Sequence, residues 1–293
     1  MKKPVKNFGK SNRAKLLSLM KTSGKEYMHL LARYFNERLL YRVSVSRYRE
    51  NFLLKGGSLL YAMDGLDARP TIDVDFMANR ISRDREFLEN VFKEILSIPC
   101  EEDGVVFETE SIHSDPITVE KEYPGSRIYV TAHMDTINFP MSMDVGFGDV
   151  VTPGPVTMDF PLLIATVPAV KLQTYSIETV IAEKFHAMID RDVANSRMKD
   201  FFDCHQILTT KEIEDQSLRD AIFATFSNRQ LAYNPDLQLF LASFATDEKR
   251  LKMWKSFLKS IKWNEEIPFD EVLGIIRKKL KPYLDEYWSQ HKE

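Results

Sequence analysis

The residues best suited to chemistry stand in two short stretches, Gly56-Gly57-Ser58 and, fifteen residues beyond Ser58, Asp73-Val74-Asp75. In a strand, residues i and i+2 share a face, so Asp73 and Asp75 project together while Ile72, Val74 and Phe76 take the other side. Two carboxylates so close repel one another unless a cation lies between them. Oxygen-only ligands suit Mg²⁺ or Mn²⁺, which takes one or two carboxylates and completes its shell with water and substrate phosphates. A turn of small residues opening a helix lets backbone N–H groups approach a phosphate. Together these pieces describe metal-assisted phosphoryl or nucleotidyl transfer. Taken singly they are ordinary: an Asp-x-Asp is often two solvent-facing acids, and Gly-Gly-Ser is often a plain turn.

A two-metal site needs a third acid, ideally on a neighbouring strand. Asp144 is preferred, because Met141-Ser142-Met143-Asp144-Val145 alternates most cleanly. Asp135, in His133-Met134-Asp135, and Asp159, in Met158-Asp159-Phe160, are its rivals. Further on, Ile177, Val180, Ile181, Phe185 and Met188 form an apolar helical stripe flanked by Glu183 and Lys184. Glu183 directly precedes Lys184 and cannot face it on a helix. Lys184 therefore belongs at the rim, where its apolar stem lets the ammonium reach outward. Lys199, Asp200 and Asp203 occupy one turn, with the two acids adjacent at i and i+3. His186 and His205 are read as helix residues, since Cys204-His205 lacks metal-ligand spacing. No Ser/His/Asp or Cys/His nucleophile arrangement stands out.

The elements that must position these groups follow from periodicity and punctuation. Residues 11–45 read as two helices, the first capped by Ser11 and ended by Gly24, the second carrying Leu30, Leu31, Tyr34, Phe35, Leu39 and Leu40. Phe52–Leu54 is a short strand running into Gly56, with a helix over Ser58–Met63. Ile72–Met77 alternates as a strand. A helix over Ser82–Ser97 should turn Phe87, Val91, Phe92 and Ile95 inward. Strands are expected at 105–112, 126–133 and 139–145, with a turn at Tyr123-Pro124-Gly125-Ser126. The Pro/Gly-rich segment 152–168 predicts loops with one short strand. From about 171 the chain reads as helices at Ile177–Ile189, Arg197–Leu208, Leu218–Phe226, Lys249–Ile261 and Asp270–Trp288. This gives a basic helical arm over 1–50, an α/β core over 51–170 and a helical domain over 171–293.

Composition narrows the class. With 44% apolar and 28% charged residues, collagen-like, low-complexity and wholly disordered chains are excluded. Cys100 and Cys204 are too few for a disulfide framework. No stretch reaches the roughly 18–20 apolar residues of a membrane span, and Lys15, Lys21 and Lys25 interrupt any apolar leader, so a reducing, cytoplasmic setting is expected. The net charge of −3 hides an asymmetry, since the first fifty residues carry thirteen Lys/Arg against three acids. A basic segment of that kind suits a polyanion such as RNA. A solvated helix face explains the same charges equally well.

The stretch Gly56-Gly57-Ser58-Leu59-Leu60-Tyr61, followed by Arg69-Pro70-Thr71-Ile72-Asp73-Val74-Asp75-Phe76, resembles the nucleotidyltransferase signature of the DNA polymerase β-like superfamily. Within it, the chain resembles the AbiEii/AbiGii toxin family of type IV toxin–antitoxin and phage-defence systems. That family adds a helical lysine motif, matched by Ala182-Glu183-Lys184-Phe185-His186-Ala187. It then adds a basic-Asp-x-x-Asp motif, matched by Lys199-Asp200-Phe201-Phe202-Asp203. The matching blocks run from about residue 52 to 208.

The resemblance implies an α+β fold, a polymerase β-like core of mixed sheet and flanking helices followed by a helical half. It implies that Gly57 and Ser58 hold the nucleotide phosphates, that Asp73 and Asp75 bind metal with Asp144 as third carboxylate, and that Lys184 reaches the triphosphate. Asp200 and Asp203 complete the site, with Asp200 the candidate to take the acceptor's proton. It further implies a nucleoside triphosphate substrate, an acceptor that is an RNA 3′ end such as tRNA or a protein hydroxyl, and a cognate antitoxin. Two rivals share part of this chemistry. One is a catalytically silent binding module that keeps the carboxylates as structure. The other is a metal-dependent glycosyltransferase, which needs Asp-x-Asp but neither Gly-Gly-Ser nor the Lys184 and Asp200 motifs.

Overall fold

The fold is that of a computed structural model describing residues 7–117 and 125–291. The chain divides into two compact units: residues 1–148 with 155–175, and residues 149–154 with 176–293.

The first unit opens with α1 (Phe8–Ser23), whose N-cap is Asn7 rather than Ser11. The Asn7 side chain accepts the Lys10 N–H at 2.8 Å. Gly24 ends α1 in the left-handed conformation, as its position predicts. Helix α2 (Tyr27–Val45) is buried from Leu30 to Leu40 and again at Arg42, Val43 and Ser44. Its arginines are therefore not a surface feature. Arg42 pairs with Asp103 at 2.5 Å, Arg38 with Glu37 at 2.7 Å, and Arg33 donates to the carbonyls of Gly65 and Ala68. These three of the thirteen basic residues counted above serve the interior. Lys10, Lys15, Lys21 and Lys25 remain exposed. Lys2, Lys3 and Lys6 lie outside the described residues.

Strand β1 (Phe52–Lys55) runs straight into α3 (Gly56–Asp64), and β2 (Val74–Ala78) follows. Helix α4 (Arg85–Leu96) starts at the Asp84 cap, later than the expected Ser82, so Phe87 falls in its first turn and stays 42% exposed. The inward face is Leu88, Val91, Phe92 and Ile95. Then come β3 (Val106–Ile117), β4 (Gly125–Met134), β5 (Ile137–Phe147), β6 (Val156–Phe160) and β7 (Val170–Thr174). Gly125 and Ser126 open β4, whereas Tyr123 and Pro124 of the expected turn lie outside the described residues. The last strand was not anticipated, although Val170, Leu172 and Thr174 alternate inward along it.

The strands form one mixed sheet in the order β3-β4-β5-β2-β1-β7-β6, parallel at β2–β5 and β1–β7 and antiparallel elsewhere. One face is apolar: Phe52, Phe76 and Phe92 of α4 cluster together, and Phe139 of β5 stacks on Phe35 of α2 at 4.9 Å. Because side chains alternate, burying this face sends the polar residues of β2, β4 and β5 to the other.

The second unit is helical, comprising α5 (Ile177–Arg191), α6 (Met198–Thr210), α7 (Asp215–Asn228), α8 (Ala242–Thr246), α9 (Glu248–Ser260) and α10 (Phe269–Gln290). Phe201 meets Phe269 edge-on at 5.3 Å and Phe226 meets Tyr287 at 5.2 Å, so the phenylalanines of the α6 motif are core residues, as read from their spacing. No helix among the described residues is long and apolar enough to cross a membrane.

Candidate active site

The Gly-Gly-Ser turn brings two backbones together. Gly56 has φ +67°, and a Cβ there would collide with the carboxylate of Asp75. At Gly57 a Cβ would lie 2.7 Å from the Thr71 hydroxyl. Only glycine lets α3 start directly against the segment carrying the acids. Lys55, at the N-cap, offers α3 no side-chain hydrogen bond, and there is no acid in the first turn. The Asp75 carboxylate is the negative charge beside this positive helix end. The Ser58 hydroxyl faces inward, 2% exposed, and donates to the Asp73 carbonyl at 3.0 Å. It fixes the backbone of the first acid.

Asp73 sits one residue before β2 and is exposed, and Ile72 is 57% exposed instead of packing with Val74 and Phe76. The two acids nevertheless share the polar face of the sheet. Ser142 of β5 donates to Asp73 Oδ1 at 3.1 Å, while Asp75 stands in register with Asp144 of the same strand. Of the three candidate third acids, Asp144 is the one on a strand adjacent to β2. Asp135 occupies the β4–β5 turn with φ +56° and pairs with Arg13 at 3.0 Å. Asp159 is exposed on β6, the edge strand, and pairs in register with Lys171.

The register extends further. Arg127 of β4 is opposite Asp144, and Lys55 of β1 is opposite Asp75. A row of four charges thus crosses four adjacent strands in the sequence Arg127, Asp144, Asp75, Lys55. Arg127 grips both oxygens of Asp144, from Nε to Oδ1 at 2.6 Å and from Nη2 to Oδ2 at 2.7 Å. Hydrogen bonding to that carboxylate raises the guanidinium pKa well above its ordinary value. Lys55 Nζ lies 3.4 Å from the Tyr175 hydroxyl. Arg127, Ser142 and Lys55 escape sequence reading, because their importance rests on register between distant strands. For Lys55 a signal existed, since it directly precedes Gly56.

Among the described residues, no group of three His, Cys, Asp or Glu side chains converges closely enough to hold a metal. The donor chemistry of Asp73, Asp75 and Asp144 still suits a hard divalent cation. All three are carboxylates, on one sheet face at neighbouring positions, and are partly open to water.

The second unit holds a separate charged cluster. Lys184 on α5 donates to Asp200 at 2.9 Å and to Asp203 at 2.7 Å, both on α6, and Arg197 adds a 2.5 Å bond to Asp200. Both carboxylate side chains are 1% exposed and Lys184 is 12% exposed, so the ammonium is anchored instead of waving from a rim. Burial pushes the Asp200 carboxyl up, but Lys184 and Arg197 outweigh it and hold the pKa at about 2. Such a carboxylate is a weak proton acceptor near neutrality, and in this arrangement Asp200 is placed to hold Lys184 and Arg197. The preceding Glu183 pairs with Arg229 at 3.0 Å, and Arg229 also holds Asp149 at 2.7 Å. His186 is buried on α5 and His205 half-buried on α6, where burial lowers its pKa.

A seven-stranded mixed sheet, with a Gly-Gly-Ser helix start set against a carboxylate pair and a helical half following, is the arrangement expected of a nucleotidyltransferase. More narrowly, the chain belongs to the AbiEii family, the nucleotidyl transferase toxins of type IV toxin–antitoxin systems, which it matches over residues 38–275. An antitoxin partner follows from that membership. Two solved structures share the fold. One is a candidate nucleotidyltransferase from H. pylori, 16% identical with a TM-score of 0.53, covering 91% of this chain and 99% of its own. The other is JHP933 from Helicobacter pylori, 17% identical with a TM-score of 0.51, covering 88% and 95%. No curated protein matches the chain significantly.

Proposed function

We propose that this toxin transfers a nucleotide from a nucleoside triphosphate to an acceptor hydroxyl in a Mg²⁺- or Mn²⁺-dependent reaction, with an RNA 3′ end, such as that of tRNA, preferred over a protein. The observation that carries the reading is the placement of Asp75 and Asp144 in register on adjacent parallel strands, with Asp73 on the same face and the start of α3 against Asp75. Asp73 and Asp75, joined by Asp144, would hold the metal, which supplies charge neutralisation at the reacting phosphate.

The chain's own groups do the rest. Backbone N–H groups of the first turn of α3, at Gly57 and Ser58, are suited to phosphate oxygens. The Ser58 hydroxyl proton is already given to Asp73. Lys184 is the cation assigned to the triphosphate, and Asp200 with Asp203 hold it extended and charged, as positioning residues. The acceptor oxygen bonds to the α-phosphorus, the α–β phosphoanhydride bond breaks, pyrophosphate departs, and the acceptor proton passes to solvent. Exposed lysines on α1, an element with no acid in residues 7–25, support an RNA acceptor.

The test incubates the full chain with Mg²⁺, each labelled nucleoside triphosphate, total RNA and cell extract, in parallel with EDTA or an Asp73→Ala/Asp75→Ala variant. Label entering RNA and lost in both controls supports the reading. Label in protein changes the acceptor. Absence of both transfer and Mg²⁺-dependent nucleotide binding favours the silent binding module, and hydrolysis of a nucleotide sugar favours the glycosyltransferase.

A further inference from the structure

Two carboxylates in neighbouring register positions on adjacent strands lie only about 5 Å apart at the backbone. Without a cation, that repulsion must be absorbed by the protein. On the β5 side it is absorbed by Arg127, whose planar fork takes both oxygens of Asp144. No Asp144 oxygen is then left without a charged donor. Asp144, though in register with Asp75, thus has its charge answered by an arginine and not by a metal ligand set. The pair is also easily opened. Arg127 is 41% exposed and Asp144 22% exposed, so water stands ready to replace either partner. The opposite placement, a buried and fully enclosed ion pair such as Arg42–Asp103, would be a permanent structural tie.

We propose that Arg127 is a resident counter-ion that competes with the divalent cation for Asp144, holding the third carboxylate until metal arrives and so setting how tightly the site takes it. The inference rests on the nucleotidyltransferase reading above. Arg127 is a positioning residue in this scheme, acting through Asp144. Ser142 plays the lesser, uncharged counterpart for Asp73.

The experiment titrates the full-length protein with Mn²⁺ alone, without nucleotide, and reads free Mn²⁺ by electron paramagnetic resonance. Arg127→Gln keeps a polar side chain but removes the charge, and should tighten Mn²⁺ binding roughly twofold to fivefold, the scale of a partly exposed ion pair. Arg127→Lys, which keeps the charge without the fork, should fall between that variant and the parent. In an Asp144→Asn background, Arg127→Gln should no longer tighten binding. Unchanged or weaker Mn²⁺ affinity in Arg127→Gln, with the parent still binding Mn²⁺ through Asp75, overturns the role of Arg127 alone. Mn²⁺ binding that is absent from the parent, or that survives Asp73→Asn/Asp75→Asn unchanged, overturns the metal-site reading and this inference with it.

Discussion

Replacing Lys184 with Met keeps much of the side-chain volume and removes the ammonium from between two carboxylates that are 1% exposed. Asp200 retains Arg197, which bonds it at 2.5 Å, whereas Asp203 loses the bond to Lys184. The pKa of Asp200, held at about 2 against an ordinary 3.8 despite burial, measures how strongly its cations favour the charged form. That difference alone is worth about 2 kcal/mol. Removing one partner of a buried pair typically costs about 3–5 kcal/mol, and the surviving Arg197 bond places Lys184→Met near the lower end, at about 3 kcal/mol. Urea denaturation of the full chain, followed by far-UV circular dichroism, measures the loss. The double variant Lys184→Met/Asp203→Asn should recover at least about 1 kcal/mol of it, because the buried charge that lost the ammonium is gone. A single variant within 1 kcal/mol of the parent, or a double variant no better than the single, would refute the anchoring argument. The double variant also separates fold from chemistry, since it should fold and yet fail to transfer nucleotide.

Gly56→Ala forces a Cβ into the Asp75 carboxylate at a backbone angle disfavoured for alanine, and should reduce nucleotide transfer at least tenfold with Mn²⁺ binding falling in parallel. Asp103→Ala leaves Arg42 buried at 2% exposure without its carboxylate, and should destabilise the first unit by about 3–5 kcal/mol in urea. Burial raises the Glu37 carboxyl from 4.5 to about 7 against the opposing pull of Arg38. Its folded pKa exceeds its unfolded one, so its contribution is complete below pH 4.5 and fades as pH rises through 7. Over that interval the protein should lose up to about 3 kcal/mol, a slope that Glu37→Gln abolishes. Asp200 carries the opposite sign, its contribution present above pH 3.8 and lost as pH falls through about 2, so Asp200→Asn should flatten the acid limb of the stability curve.

What the sequence made legible follows the range of the interactions involved. Helices α5 to α7, α9 and α10 repeat their apolar residues locally, and their spans agree with the spacing to within a turn. Asp73, Asp75 and the Gly-Gly-Ser turn were legible because their chemistry needs neighbours in sequence. Asp144 emerged from alternation, which names a face but not a partner strand. Arg127 could not emerge at all, since nothing local says that it faces Asp144 across β4 and β5. The arginines of α2 misled in the opposite direction. Arg38 and Arg42 are i, i+4 neighbours, as on any basic surface stripe, and only Asp103 and the Pro168 carbonyl, far along the chain, reveal them as interior. The strand β7 lay hidden beside prolines, where its alternation was outweighed by turn signals.

The strand order also sets when the charged row across the sheet can form. A ribosome that has released the chain through β4 has exposed Asp73, Asp75 and Arg127, but β5, the strand that lies between β4 and β2, is still to come. Ser142 and Asp144 reach their places sixty-nine residues after the acids they accompany. The sheet then waits for β7, which bonds to β1 from 120 residues away, and the helices carrying Lys184 and Asp200 follow it. Every truncated product of interrupted synthesis before β5 therefore lacks the row of charges that runs from Arg127 to Lys55.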